Sequence, residues 1–191
     1  MKWNRFIFLT LWVFTATAAL GQADFTSQQD GNWDNPAVWD QAAVPGASDT
    51  LIISQGDTVS LNGNRTCAAL ILNPNSMLTG SGTDSLTVTG NITVYGAIRN
   101  VNGILLQGDS IRGNDTIHSI SSVYIEGNKI IGTQDSLIFD ANLRYQGDYT
   151  ITNQGYTTLT GDLKGFSNSS IWTNSNASWL RISGALMLSN G

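Results

Sequence analysis

The sequence predicts an all-β chain wound into a parallel β-helix, and three observations carry that prediction. Short segments of alternating or continuous apolar residues recur from Asp49 onward, among them "DTLIIS", "AALILN", "NITVYG" and "SVYIEG", each closed by Gly, Asn, Asp, Ser or Ala. No window after Gly31 sustains a 3.6-residue apolar period with helix caps. One apolar anchor per unit, taken as Leu70, Leu86, Ile104, Val123, Leu137, Leu159 and Leu180, returns at intervals of 16, 18, 19, 14, 22 and 21 residues. Such a period, built of strands and turns, marks a solenoid: one coil cannot bury its own apolar face, but stacked coils share a continuous core. At ~4.8 Å per coil, about six or seven coils make a rod roughly 30 Å long. The alternative is a β-sandwich or jelly roll, which pairs of adjacent short strands could also build.

The first 21 residues stand apart from this pattern. Lys2 and Arg5 precede an apolar run from Phe6 to Leu20, and Ala19 and Gly21 place small residues at positions −3 and −1 of a cleavage site before Gln22. That is a secretory signal peptide, and the chain is expected to be exported, to the outer cell surface or beyond it. Fifteen apolar residues fall short of the ~20 that span a bilayer, so no membrane span is expected once the signal is cleaved. Removing it leaves 170 of 191 residues, with seven basic against fourteen acidic side chains. This acidity argues against nucleic acid or an anionic membrane as partner. Thirteen of the fourteen acids are Asp, a turn former, and only Glu126 is Glu. Cys67 is the single cysteine, so no internal disulfide forms, and "TCAALIL" reads as a buried site for it.

Residues 22–48 come next and read as an N-terminal cap, followed by β-helix repeats over 49–191. Trp33, Trp39 and Pro45 precede the first regular strand and are placed to cover the open end of the stack. The stretch "GNWDNPAVWDQAAVPGASDTLIISQGDTVSL" also carries a resemblance, through Gly31, Trp33, Pro36, Trp39, Val44, Pro45, Gly46, Asp49, Ile52, Ile53, Gly56, Asp57 and Val59. It resembles the entry segment of bacterial secreted proteins with right-handed parallel β-helices. It is also similar to the extracellular domain with eight recurrent glycines found in some animal surface proteins. The resemblance implies a large surface protein exported by the type IX route. Clients of that route end in a sandwich sorting domain, which does not follow Leu188. The repeats over 49–191 are therefore read as incomplete, with downstream coils of the same chain as their neighbours.

The candidate sites are few. The tripeptide Asp-Ser/Thr-apolar occurs six times and offers Thr50, Thr58, Ser85, Ser110, Thr116 and Ser136 as acceptors. It resembles the general O-glycosylation signal of bacteria that use type IX secretion, which implies modification on exposed turns. The mechanical reading of the same residues is that Asp closes a turn and the hydroxyl residue opens a strand. Arg99, Arg112, Lys129, Arg144, Lys164 and Arg181 recur about once per coil. Stacked on one face they would form a ladder for an acidic polysaccharide, but charges spread outward for solubility is the preferred reading. Trp172 and Trp179 are candidate glycan contacts through their flat apolar rings. His118 is the single histidine and has no triad or metal-ligand spacing around it. No catalytic residue is assigned and no cofactor is expected. Calcium is considered for the Asp-rich turns, but no repeat has the spacing of a calcium loop.

Two function classes follow. The first is a non-catalytic module of a surface or secreted protein, adhesin-like or structural, facing an extracellular glycan or a neighbouring surface protein. The alternative is the N-terminal part of a polysaccharide-active lyase or glycosidase, or a glycan-binding module.

Overall fold

The computed structural model describes residues 21–145, 147–165, 171–175 and 177–188. Residues 1–20, where the signal peptide is expected, lie outside them. The described chain is nearly all-β, with 56 % strand and 2 % helix, in parallel sheets stacked as a β-solenoid of about seven turns.

One sheet forms the first face. It contains β1 (Asp24–Thr26), β3 (Thr50–Ile53), β6 (Ala69–Leu72), β9 (Ile92–Val94), β11 (Ser110–Gly113), β13 (Lys129–Ile131), β15 (Thr150–Asn153) and β18 (Ile171–Asn174), in that order. A second sheet runs through β2 (Gly31–Asn32), β4 (Thr58–Ser60), β7 (Met77–Thr79), β10 (Ala97–Leu106), β12 (Thr116–Ile125), β14 (Ser136–Tyr145), β16 (Tyr156–Leu159) and β19 (Trp179–Ile182). At their far ends the long strands β10 and β14 also pair with β8 (Ser85–Val88) and β17 (Leu163–Gly165), which in turn pair with β5 (Arg65–Cys67) and β20 (Leu186–Leu188), making a third face. The ladder between β10 and β12 slips between Ile98 and Gly103, where Asn100 takes a left-handed φ of 56° and the strand crosses from one face to the next. Every pair of named strands is parallel. That excludes the sandwich and the jelly roll, whose neighbouring strands run antiparallel.

The register gives the true repeat. Along the first face Leu51, Leu70, Ile92, Ile111 and Ile131 stack over one another, one from each successive coil. The anchors chosen from sequence gave a less even series because they jumped between faces. Leu70 pairs with Ile92, whereas Leu86, the anchor taken next after Leu70, belongs to the third face and pairs with Ile104. These inward columns are fully buried, as the shared core of a solenoid requires.

The corners are held by side chains that reach one coil along. Oxygens of Asn64, Asn91, Asn128 and Asn142 accept the backbone N–H of Ser85, Ser110, Thr150 and Asp162 at 2.8–3.0 Å. Each satisfies an amide that the ladder leaves unpaired where the strand begins, which a buried or half-buried turn requires. The abundance of Asn in this sequence therefore has a stacking duty.

Gly113 marks a tight corner. It lies in register with Val94, has φ 129°, and a Cβ there would land on the Val94 backbone. Gly113→Ala is expected to cost about 2 kcal/mol or more from strain and overlap together. A urea midpoint equal to that of the unmodified chain would show that the corner has slack.

The cap is continuous with the stack. Pairing begins at Asp24, inside the segment 22–48, because β1 lies on β3 and β2 on β4. After β2 a 3-10 turn, Pro36–Val38, starts at Asn35, whose side chain accepts from the Ala37 N–H. Trp33 and Trp39 are buried, with ring centroids 6.0 Å apart and nearly edge to face, and Phe25 lies 6.3 Å from Trp39. Both indole N–H groups are paired: Trp33 donates to the carbonyl of the buried Pro45 and Trp39 donates to the carbonyl of Trp33.

Candidate functional site

The six acceptor residues share one position in the fold. Thr50, Thr58, Ser85, Ser110, Thr116 and Ser136 are the first residues of β3, β4, β8, β11, β12 and β14. Their Asp neighbours work as turn closers. Asp49 accepts from the N–H groups of Ala23 and Gly46, and Asp84 accepts from those of Gly63 and Ser81. The Ser81 amide is the main reason the Asp84 carboxyl titrates below its ordinary range. Asp135, almost wholly buried, pairs with Arg112 at 2.6 Å. The hydroxyls are not equally accessible. Thr50 is only 8 % exposed and its hydroxyl accepts from the Gln22 amide, so it does not lie on an exposed turn, against the sequence expectation. Ser85 donates to Asn64, and Thr58, Ser110 and Thr116 are half-buried in the ladder. Ser136 is exposed.

The basic residues form no single ladder. Arg112 projects from the first sheet, Arg99 and Arg181 belong to the second face, and Arg144 stacks with Lys164 on the third. Lys129 reverses the expectation altogether: it is 1 % exposed and points into the first corner of its coil. Its ammonium donates to the carbonyls of Gln107, Glu126, Gly127 and Asn128, three of them from its own turn and one from the coil before. Burial lowers the Lys129 pKa, opposed by the negative charges of Asp109 and Glu126. This lysine acts as an internal cross-link of backbone carbonyls.

His118 and Cys67 are likewise occupied by the fold. His118 Nδ1 accepts the Asn100 N–H at 3.1 Å, across the bend in β10. Cys67 is fully buried in the column below Val88, and desolvation pushes its thiol up to about 12, far from a reactive thiolate.

The two C-terminal tryptophans part company. Trp172 stands in the inward column over Ile151, packs on the core and lines a hollow of about 390 Å³ with Tyr145, Leu163 and Leu180. Its ring is half-buried there rather than projecting outward, and its indole N–H donates to Asn174. Trp179 projects outward from β19 and is 45 % exposed. It lies in register with Tyr156, itself 41 % exposed, and the two rings stack with centroids 5.6 Å apart at a 49° tilt. Tyr156 escaped the sequence reading because it lies a full coil before Trp179. Only the spacing of that particular coil, read from both strands, would have paired them.

No family model, curated protein or solved structure matches the chain. Among the described residues no helix is long and apolar enough to cross a membrane, and no three His, Cys, Asp or Glu side chains gather as metal ligands would.

Proposed function

We propose that the chain is an exported, non-catalytic β-helix module of a cell-surface protein, adhesin-like in that it holds a binding face away from the cell. The observation that carries this reading is the use made of polar groups. Asp84, Asp135, Lys129 and His118, four side chains with chemistry usable in catalysis, are engaged in holding the coils together. What the rod turns outward is an ordered array of strand faces. A stack of parallel coils sealed at one end by buried aromatics is stiff, and stiffness over roughly 30 Å suits reach and display. Export rests on the signal-like leader, and the type IX route rests on the entry-segment resemblance.

The test is exposure on intact cells of the native host. An epitope tag inserted at the exposed turn of Thr133 and Gln134 is expected to be labelled and protease-accessible without lysis; labelling only after lysis would sink the reading. Release of unsaturated or reducing sugar from a polysaccharide panel by purified 22–191 would overturn the non-catalytic part. Modification follows the accessibility of each hydroxyl. In the native host Ser136 carries O-linked mass and Thr50 does not, so Ser136→Ala is expected to reduce the excess mass. An intact-protein mass equal to that of the bare polypeptide ends the glycosylation proposal.

A further inference from the structure

Three exposed large hydrophobic side chains fall together on the outer surface of the second sheet. Ser136, Tyr156 and Trp179 stack in register across β14, β16 and β19, and Ile138, Thr158 and Arg181 form the adjoining column. Ile138, Tyr156 and Trp179 are 38 %, 41 % and 45 % exposed. Arg181 is exposed too, and among the described residues no carboxylate lies within ion-pair reach of it.

The backbone beneath this patch is fixed. Asn153, fully buried, donates to the Trp179 carbonyl at 3.0 Å and to Asn174 at 2.9 Å, while its own oxygen accepts from Gly155 and Thr157. Ser178 donates to the Asn153 carbonyl, and the amides of Tyr156 and Trp179 bond to the coils before them. Two amphipathic rings held this way lose little freedom when a ligand settles on them.

We propose that Tyr156 and Trp179 form a stacking platform for the pyranose rings of a neutral glycan, with Arg181 and Thr158 donating to its hydroxyls. Three observations select that ligand. The exposed rings offer apolar faces with polar edges, suited to the C–H face of a sugar. The patch spans three strands, ~10 Å across at the strand spacing, far short of the ~800 Å² per partner that a specific protein interface buries. The chain as a whole is acidic, with a formal net charge of −5, which repels a polyanion and leaves the lone arginine as a hydrogen-bond donor. The proposal rests on the reading of an extracellular module. It is nonetheless tested with purified protein, so failed binding and failed surface exposure are separate results.

The experiment is isothermal titration of mature 22–191 with cellohexaose, laminarihexaose and mannohexaose, and with polygalacturonate as the acidic arm. At least one neutral oligosaccharide is expected to bind, and Trp179→Ala or Tyr156→Ala to weaken it about tenfold or more. Arg144→Ala, on another face, is expected to leave binding unchanged. Both aromatic variants are expected to stay folded with only a modest fall in thermal midpoint, since each residue is more than a third exposed and loses one cross-strand ring contact. Four results overturn the proposal: no neutral oligosaccharide binds; binding survives both aromatic variants; polygalacturonate alone binds; or Trp179→Ala abolishes only self-association in the absence of sugar.

Discussion

Trp33→Ala is expected to lower stability by about 3–5 kcal/mol, and Trp39→Ala by a similar amount. Both rings are at most 2 % exposed and interlock with each other and with Phe25 at the bottom of the stack. Truncation removes a large apolar surface and also strands an acceptor. Without Trp39 the Trp33 carbonyl loses its indole donor, and without Trp33 the Pro45 carbonyl loses its own. Against these rings lies the first full coil, whose apolar layer and strand edges would otherwise face water. Because the rings share a contact, the double variant is expected to cost less than the two single losses added together. Urea unfolding followed by near-ultraviolet circular dichroism measures all three. If each single change costs less than ~1 kcal/mol, the rings are not the seal described here.

Lys129→Ala is expected to cost about 3 kcal/mol, since it removes the shared donor of four corner carbonyls and leaves a void. Lys129→Met restores the packed stem but not the donor, so it is expected to recover only part of the loss. The pH dependence gives the sharper signature. Burial lowers the folded pKa below the unfolded value near 10.5. Between those two values the unfolded chain therefore binds more protons, and parent stability rises with pH through that window. Neither variant has this ionisation, so the gap between parent and variant is expected to widen as pH climbs toward 10.5. Comparing the proteins at the same pH cancels the tyrosines, including Tyr145, whose phenol pKa burial also raises. A flat gap would mean that Lys129 is solvated in the folded chain, and a narrowing one that its carbonyl partners outweigh burial and hold the ammonium charged.

The same corner shows where sequence reading stops. In "NKIIG" the alternation does not say which of Lys129, Ile130 and Ile131 turns inward. Ile131 is held in the column of Ile111, so Lys129 must also face in, and Ile130 is turned out to 48 % exposure. A shift of one residue would reverse every assignment along β13. What selects the observed register is a ring of backbone carbonyls that a lysine can reach and an isoleucine cannot satisfy.

The sequence by itself determined the strand-rich composition, the absence of long amphipathic periods, the approximate length of a coil and the position of Trp33 and Trp39 ahead of the first regular strand. These are local properties: alternation at period two, Gly and Asx at turns, and recurrence along one chain. Only the tertiary structure decided which residues share a column, because successive coils differ in length and drift against any fixed period. That drift hid the pairing of Tyr156 with Trp179, sent Trp172 inward and Trp179 outward, buried Thr50 while leaving Ser136 exposed, and divided six basic residues among three faces. The physical reason is that a side chain's role in a solenoid is set by the rung before and the rung after it. Those rungs lie a whole coil away along the chain, beyond the reach of any local pattern.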